Sequence, residues 1–240
     1  MNKCEMHGEF ESKFIELLGT RIEQKGCPRC NEIEQAEKER QEMAMRVERS
    51  ERARIDRRLS AGISERNCGK SFSEWHTESP DQHHALDIAK AFAANVINGG
   101  SGNLIICGSV GTGKTLLASA ICEAVIVKKT CRMIRVIDLV RKIKETWSRG
   151  SDISEQQIID QFASVDLLVL DEVGIQFGTD TEKLFLFDVI DLRYQRNLPT
   201  VLISNLAVED IANAVGSRVV DRLRENGGKY IAMKWDSKRR

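Results

Sequence analysis

The stretch NLIICGSVGTGKTLLASAICEAVIVKK, residues 103 to 129, constrains the fold more than any other part of the chain. A short apolar run, a glycine-rich octapeptide and a longer apolar run of helical character follow one another without a break. The octapeptide GSVGTGKT, residues 108 to 115, satisfies G-x-x-x-x-G-K-[ST] in full. Its glycines let the backbone turn so that successive N–H groups point inward, and the helix that follows adds its positive N-terminal end. Such a loop is an anion cradle. Gly108, Ser109, Val110, Gly111, Thr112 and Gly113 are expected to wrap the phosphates of ATP. Lys114 is expected to reach the β- and γ-phosphates, and Thr115 to offer its hydroxyl to Mg²⁺. The cradle works only between a buried strand and a helix, so the fold class is α/β with a P-loop.

The chain from 84 onward repeats that alternation. HALDIAKAFAANVIN reads as a helix and NLIICG as a buried strand. TLLASAICEAVIVKK reads as a helix, CRMIRVID as a strand, and LVRKIKETWSRG and SEQQIIDQFAS as amphipathic helices. VDLLVLDEVG is a strand, TEKLFLFDVIDLRYQRN a helix, PTVLISNL a strand, VEDIANAVGSRVVDRLREN helical and KYIAMKW a last extended piece. Strands alternating with helices predict a parallel sheet flanked by helices, occupying 84–240.

Two strand ends complete the expected site. LLVLDE, 167 to 172, ends a run of four apolar residues in two acids. Asp171 is expected to help hold Mg²⁺, and Glu172 to act as base on the water attacking the γ-phosphate. PTVLISN ends in Ser204 and Asn205, where a polar tip beside the nucleotide can position that water. Further on, SRVVDRLREN puts Arg218 and Arg222 four residues apart on one helical face. The nearby acid, Asp221, cannot balance Arg218, Arg222 and Arg224 together. An arginine supplied by a neighbouring copy would serve a γ-phosphate, which requires a ring or open helix of head-to-tail subunits.

Residues 1 to 31 are different. Cys4-x2-His7 and Cys27-x2-Cys30 are two chelating pairs separated by nineteen residues. Three thiols and an imidazole suit tetrahedral Zn²⁺, and a module this small with few apolar side chains needs the metal to fold. Residues 32–60 carry dense alternating charge without Gly or Pro and predict a solvated helix. Residues 61–83 are turn-rich and read as a connector.

Overall charge excludes a histone-like cationic binder, because 36 Lys and Arg face 36 Asp and Glu. No apolar run approaches the roughly 18 residues that span a bilayer. MNKCEMHGEF lacks the apolar core of a signal peptide, so the expected location is the cytoplasm, without a membrane partner. In that compartment the seven cysteines are not a disulfide framework. Cys107, Cys122 and Cys131 sit in apolar stretches and read as core residues.

From about 60 to 238 the chain resembles AAA+ ATPases of the DnaC type, the bacterial and phage loaders of the replicative helicase. The resemblance rests on AGIS and SFSEW, GSVGTGKT, VDLLVLDEVG, DLRYQRNLPTVLISN, SRVVDRLREN and WDS, in that order. It implies Walker A at 108–115, Walker B at Asp171 and Glu172, sensor 1 at Asn205, and an arginine finger at Arg222 with Arg218 as companion. It also implies single-stranded DNA binding near 138–163, where Arg141, Lys142, Lys144 and Arg149 supply charge and Trp147 can stack on a base. A hexameric replicative helicase would be gripped by the N-terminal zinc module and helix. The cysteine pairs depart from the family pattern. A similar family, the IstB-type transposition helper ATPases, predicts duplex DNA and a transposase as partners instead. A third reading is a nucleotide-binding adaptor that hydrolyses little, and Glu172 with Asn205 speaks against it.

Overall fold

The computed structural model describes residues 2–12, 14–17, 20–23, 26–148, 150, 152–174, 179–225 and 227–237. The chain forms two compact units, Met1–Ala53 and Arg54–Arg240.

The first unit opens with two small antiparallel hairpins. β1 (Asn2–Cys4) pairs with β2 (Gly8–Phe10), and β3 (Phe14–Leu17) with β4 (Thr20–Glu23). Helix α1 (Pro28–Ser60) follows and buries no residue. It begins four residues before the expected start at 32. Pro28 sits at its first position, where a missing N–H costs nothing, and the Asn31 N–H already bonds the Cys27 carbonyl at 3.0 Å.

The second unit contains a five-stranded, all-parallel sheet in the order β6-β7-β8-β5-β9. Its strands are β5 (Leu104–Gly108), β6 (Cys131–Arg135), β7 (Leu167–Val173), β8 (Thr200–Ser204) and β9 (Lys229–Met233). Alternate side chains of each strand go to opposite faces. Leu104, Ile106, Leu167, Val169, Val201 and Ile203 pack under α2 (Pro80–Ile97) and α3 (Lys114–Ile126). Ile105, Cys107, Leu168, Leu170 and Leu202 pack under the helices of the other face. These are α4 (Val136–Glu145), α5 (Glu155–Ala163), α6 (Asp180–Gln195), α7 (Val208–Val215) and α8 (Ser217–Arg224). Both faces are covered, which is why the strands read as unbroken apolar runs. Cys107, Cys122 and Cys131 are buried as expected.

Three element boundaries differ from the sequence reading. The strand expected over 131–138 ends at Arg135, and Val136 begins a helix. Val136, Leu139, Val140 and Ile143 recur at helical spacing and are all buried, and that packing outweighs the β preference of Val136 and Ile137. The helical segment 208–226 is two helices, broken at Gly216, whose φ of 94° only glycine adopts freely. Residues 61–83 pack rather than merely connect. Ala61 and Trp75 are buried in the core, a short 3-10 turn forms at Phe72–Glu74, and α2 starts at Pro80 behind a Ser79 cap.

Two polar residues, the buried Arg193 and the half-buried Asn103, hold the strand ends in register. Arg193 is fully buried and donates to Thr200 Oγ1 and to the carbonyls of Phe162, Ala163, Val165 and Pro199. It thereby ties the end of α5 to the starts of β7 and β8. Asn103, just before β5, accepts from the Thr200 N–H at 2.9 Å and donates to the Arg222 carbonyl at 3.2 Å.

Candidate active site and metal cluster

The turn between β5 and α3 has the geometry its glycines foretell. Gly113 holds a φ of 97° and caps α3, so the helix N-terminus opens directly onto the loop. The buried Lys114 donates its ammonium to the carbonyls of Gly108 and Ser109, at 2.8 and 2.7 Å. Thr112 Oγ1 bonds the Ser109 carbonyl at 2.9 Å. The loop borders a cavity of about 1080 Å³, ample for a nucleotide, that also takes in Asp171, Glu172 and Asn205. Each of these expected site residues therefore reaches one cleft.

Thr115 and Asp171 come together across the sheet. Thr115 Oγ1 donates to Asp171 Oδ2 at 3.1 Å, while Asp171 Oδ1 accepts the Glu172 N–H at 2.7 Å. Burial pushes the Asp171 carboxyl above its ordinary value. A hydroxyl and a carboxylate side by side are hard oxygen donors and suit Mg²⁺. Glu172 occupies left-handed backbone at φ 58°, inside the irregularity between Leu170 and Val173 where β7 and β8 slip register. That conformation costs a non-glycine residue roughly 1–3 kcal/mol. Its half-exposed carboxylate lies 3.9 Å from Arg135. At the end of β8, Ser204 is buried and donates to the Val173 carbonyl at 2.7 Å, which leaves Asn205 exposed at the cleft. Ser204 thus shapes the strand end, and Asn205 presents its amide.

The arginines lie elsewhere. On α8, Val219, Val220 and Leu223 face the core while Arg218 is exposed and, among the described residues, pairs with no acid. Arg222 pairs with Asp191 of α6 at 2.9 Å and stacks 4.3 Å from the Tyr194 ring centroid. Its carbonyl meets Asn103 at the start of β5, and the phosphate loop begins at the other end of that strand. Five residues at about 3.3 Å each separate the two ends by roughly 17 Å.

The expected DNA-contacting surface is partly engaged. Lys144 pairs with Glu182 at 2.8 Å and Arg141 with Asp138 at 3.2 Å, while Lys142 is exposed. Trp147 is 56% exposed, packs edge-on against Phe185 and donates to Glu155 at 2.9 Å. Arg149 lies outside the described residues.

In the first unit, Cys4 ends β1, His7 sits in the hairpin turn, and Cys27 and Cys30 flank the start of α1. Their four ligand atoms all lie within 4.8 Å of one another, with the Cys4–Cys30 sulfurs 3.6 Å apart and His7 Nδ1 3.2–3.8 Å from the three sulfurs. A tetrahedron with Zn–S near 2.3 Å and Zn–N near 2.0 Å has edges of roughly 3.4–3.8 Å. The donor set therefore fits a four-coordinate zinc ion. The Met6 N–H and then His7 draw the Cys4 thiol down to about 6, and its hydrogen bond to Cys4 pushes Cys30 up to about 11. Two aromatic residues escaped the sequence reading of the site, Trp75 and Trp235. Only their presence in SFSEW and WDS hinted at a role.

A parallel sheet in the order β6-β7-β8-β5-β9, a glycine cradle and paired strand-end acids define a P-loop nucleotide-binding fold. The chain belongs to the family described as IstB-like ATP binding protein, which it matches over residues 24–239. It is 32% identical over 208 residues to the replicative helicase loader DnaC of Escherichia coli strain K12, covering 86% of this chain and 81% of that protein. The DnaC of Buchnera aphidicola subsp. Schizaphis graminum is 34% identical over 180 residues, covering 75% and 73%. Among solved structures, the DnaC helicase loader superposes with a TM-score of 0.62 at 24% identity, covering 71% of this chain and 100% of that one. AMPPCP-bound DnaA from Aquifex aeolicus gives 0.61 at 22%, covering 73% and 52%. At those identities the likeness shows the fold alone. No helix among the described residues is long and apolar enough to cross a membrane.

Proposed function

We propose that this protein is an ATP-hydrolysing loader that delivers a hexameric replicative DNA helicase to single-stranded DNA. The observation that carries the reading is its 32% identity to loader proteins over most of both chains, together with a complete set of cleft residues. Lys114 and the loop amides hold the phosphates, and Thr115 and Asp171 hold Mg²⁺. When bound between Thr115 and Asp171, Mg²⁺ would supply positive charge to offset the negative charge of the phosphates. Glu172 takes the proton of the attacking water as the water oxygen bonds the γ-phosphorus and the bond to the β-phosphate oxygen breaks. Asn205 holds that water in line.

Arg222, with Arg218 as companion, completes the site of a neighbouring copy, stacked head to tail in a ring or open helix. Support comes from the placement of the Arg222 backbone at the far end of β5 from the chain's own phosphate loop and from the exposure of Arg218. Lys142 and Trp147 contact single-stranded DNA. The zinc-bound module of Cys4, His7, Cys27 and Cys30, with α1, grips the helicase.

The alternative reading is an IstB-type transposition helper acting on duplex DNA; the match to helicase loaders over most of the chain favours the first over it. Co-purification with the resident replicative helicase, with and without ATP and zinc, tests the first. Retention of helicase only with both ligands supports it. No retention, together with turnover stimulated by duplex rather than single-stranded DNA, supports the second.

A further inference from the structure

Behind the phosphate loop stands a pair of indoles that the chemistry above does not use. Trp75, from the segment before α2, and Trp235, just past β9, meet edge to face with ring centroids 6.3 Å apart and planes at 71°. Neither lines the nucleotide cleft. Both touch the loop from its other side. A Cβ on Gly113 would stand 2.7 Å from Trp75 Cζ3, and one on Gly111 would collide with Ser237 of the same tail. Gly113 is therefore required twice, once for its turn and once because Trp75 presses against its backbone.

One contact has a direct bearing on anion binding. Trp235 Nε1 donates to the Thr112 carbonyl at 3.0 Å. In a trans peptide the carbonyl and the next N–H point in opposite directions. The Thr112 carbonyl is held outward toward Trp235, so the Gly113 N–H is held inward, toward the cleft. An amide fixed before the anion arrives does not have to be oriented at the moment of binding. Trp75 supplies shape alone here, since its own Nε1 is buried without a hydrogen-bond partner among the described residues.

We infer that Trp235 is a positioning residue for phosphate: its indole N–H fixes the 112–113 peptide so that the Gly113 amide faces the bound nucleotide's phosphates. The inference rests on the phosphate-loop assignment, and wild-type binding of ADP, lost in Lys114→Ala, tests that assignment separately. Replacing Trp235 with benzothienylalanine keeps the ring shape and removes only the N–H. Binding of ADP and of adenosine is then measured by calorimetry or competition, alongside thermal unfolding without ligand. The expected result is ADP affinity five- to tenfold weaker, the worth of about one hydrogen bond, with adenosine affinity and unfolding temperature unchanged. Equal losses for ADP and adenosine, or no loss for either, would overturn the inference. Trp235→Phe provides a second variant with an encoded residue, and the same loss confined to phosphate-bearing ligands is expected of it.

Discussion

Arg222 and Asp191 meet at 2.9 Å between α8 and α6, with the guanidinium lying over Tyr194. The Arg222 side chain keeps about a third of its surface exposed, so this is a rim contact and not a core one. Exposed ion pairs contribute about 0–1 kcal/mol and a cation over a ring about as much again. Arg222→Ala is therefore expected to move the midpoint of a urea titration only slightly. The same change should leave ATP affinity near normal and lower DNA-stimulated turnover by about a thousandfold, the scale of a lost arginine finger. Equal turnover in wild type and variant would remove Arg222 from the chemistry.

The strained backbone of Glu172 separates function from stability. Glu172→Gln should retain ATP and lose turnover by a factor of about 10²–10⁴, as expected for a lost base. Glu172→Gly should also be inactive, yet slightly more stable, because glycine takes φ 58° without penalty. A gain of about 1 kcal/mol would raise the midpoint of thermal unfolding by about 2–4 °C. A lower midpoint for the glycine variant would show that the left-handed conformation is not strained.

Asp171 links the site to pH. Burial holds its carboxyl above the ordinary value, so the ionised form opposes folding. That cost is absent below the ordinary aspartate range and sets in as pH rises through the folded value. Asp171→Asn should therefore stabilise the ligand-free protein at pH 7, and the difference should vanish in acid. The same protonation removes a Mg²⁺ ligand, so Mg²⁺-dependent ATP binding should fall on acidification before an exposed aspartate would titrate. Thermal unfolding of both proteins across pH, with no difference at pH 7, would contradict this.

The cluster of Cys4, His7, Cys27 and Cys30 carries a separate prediction, that it holds zinc. Elemental analysis should give one zinc per chain, and chelation should increase proteolysis of residues 1–31 while leaving unfolding of the 54–240 unit unchanged. Cys30→Ser should behave like the chelated protein. Stable, protease-resistant N-terminal hairpins after complete metal removal would dissociate the cluster from folding.

The cleft was legible from sequence because its parts are local. A glycine octapeptide, two acids at the end of an apolar strand and a polar strand tip each announce themselves within ten residues, and parallel topology brings them together. Val136 and Ile137 misled because β-branched residues favour strands until a buried helical stripe overrides them. The N-terminal hairpins were missed because strands of three and four residues are too short to carry a detectable periodicity. The Trp75–Trp235 bracket and the Arg222–Asp191 pair join segments far apart in the chain, and no local pattern encodes such contacts.

The proposal that two copies share each ATP is tested most directly by mixing two proteins expected to be inactive. On that proposal Lys114→Ala does not bind nucleotide, and Arg222→Ala does not assist a neighbour. In a mixture, an Arg222→Ala copy can still cradle ATP while an adjacent Lys114→Ala copy supplies its intact Arg222. DNA-stimulated ATP hydrolysis should therefore reappear on mixing and peak near equal amounts. If no ratio of the two restores turnover above that of either alone, the arginine does not act between copies.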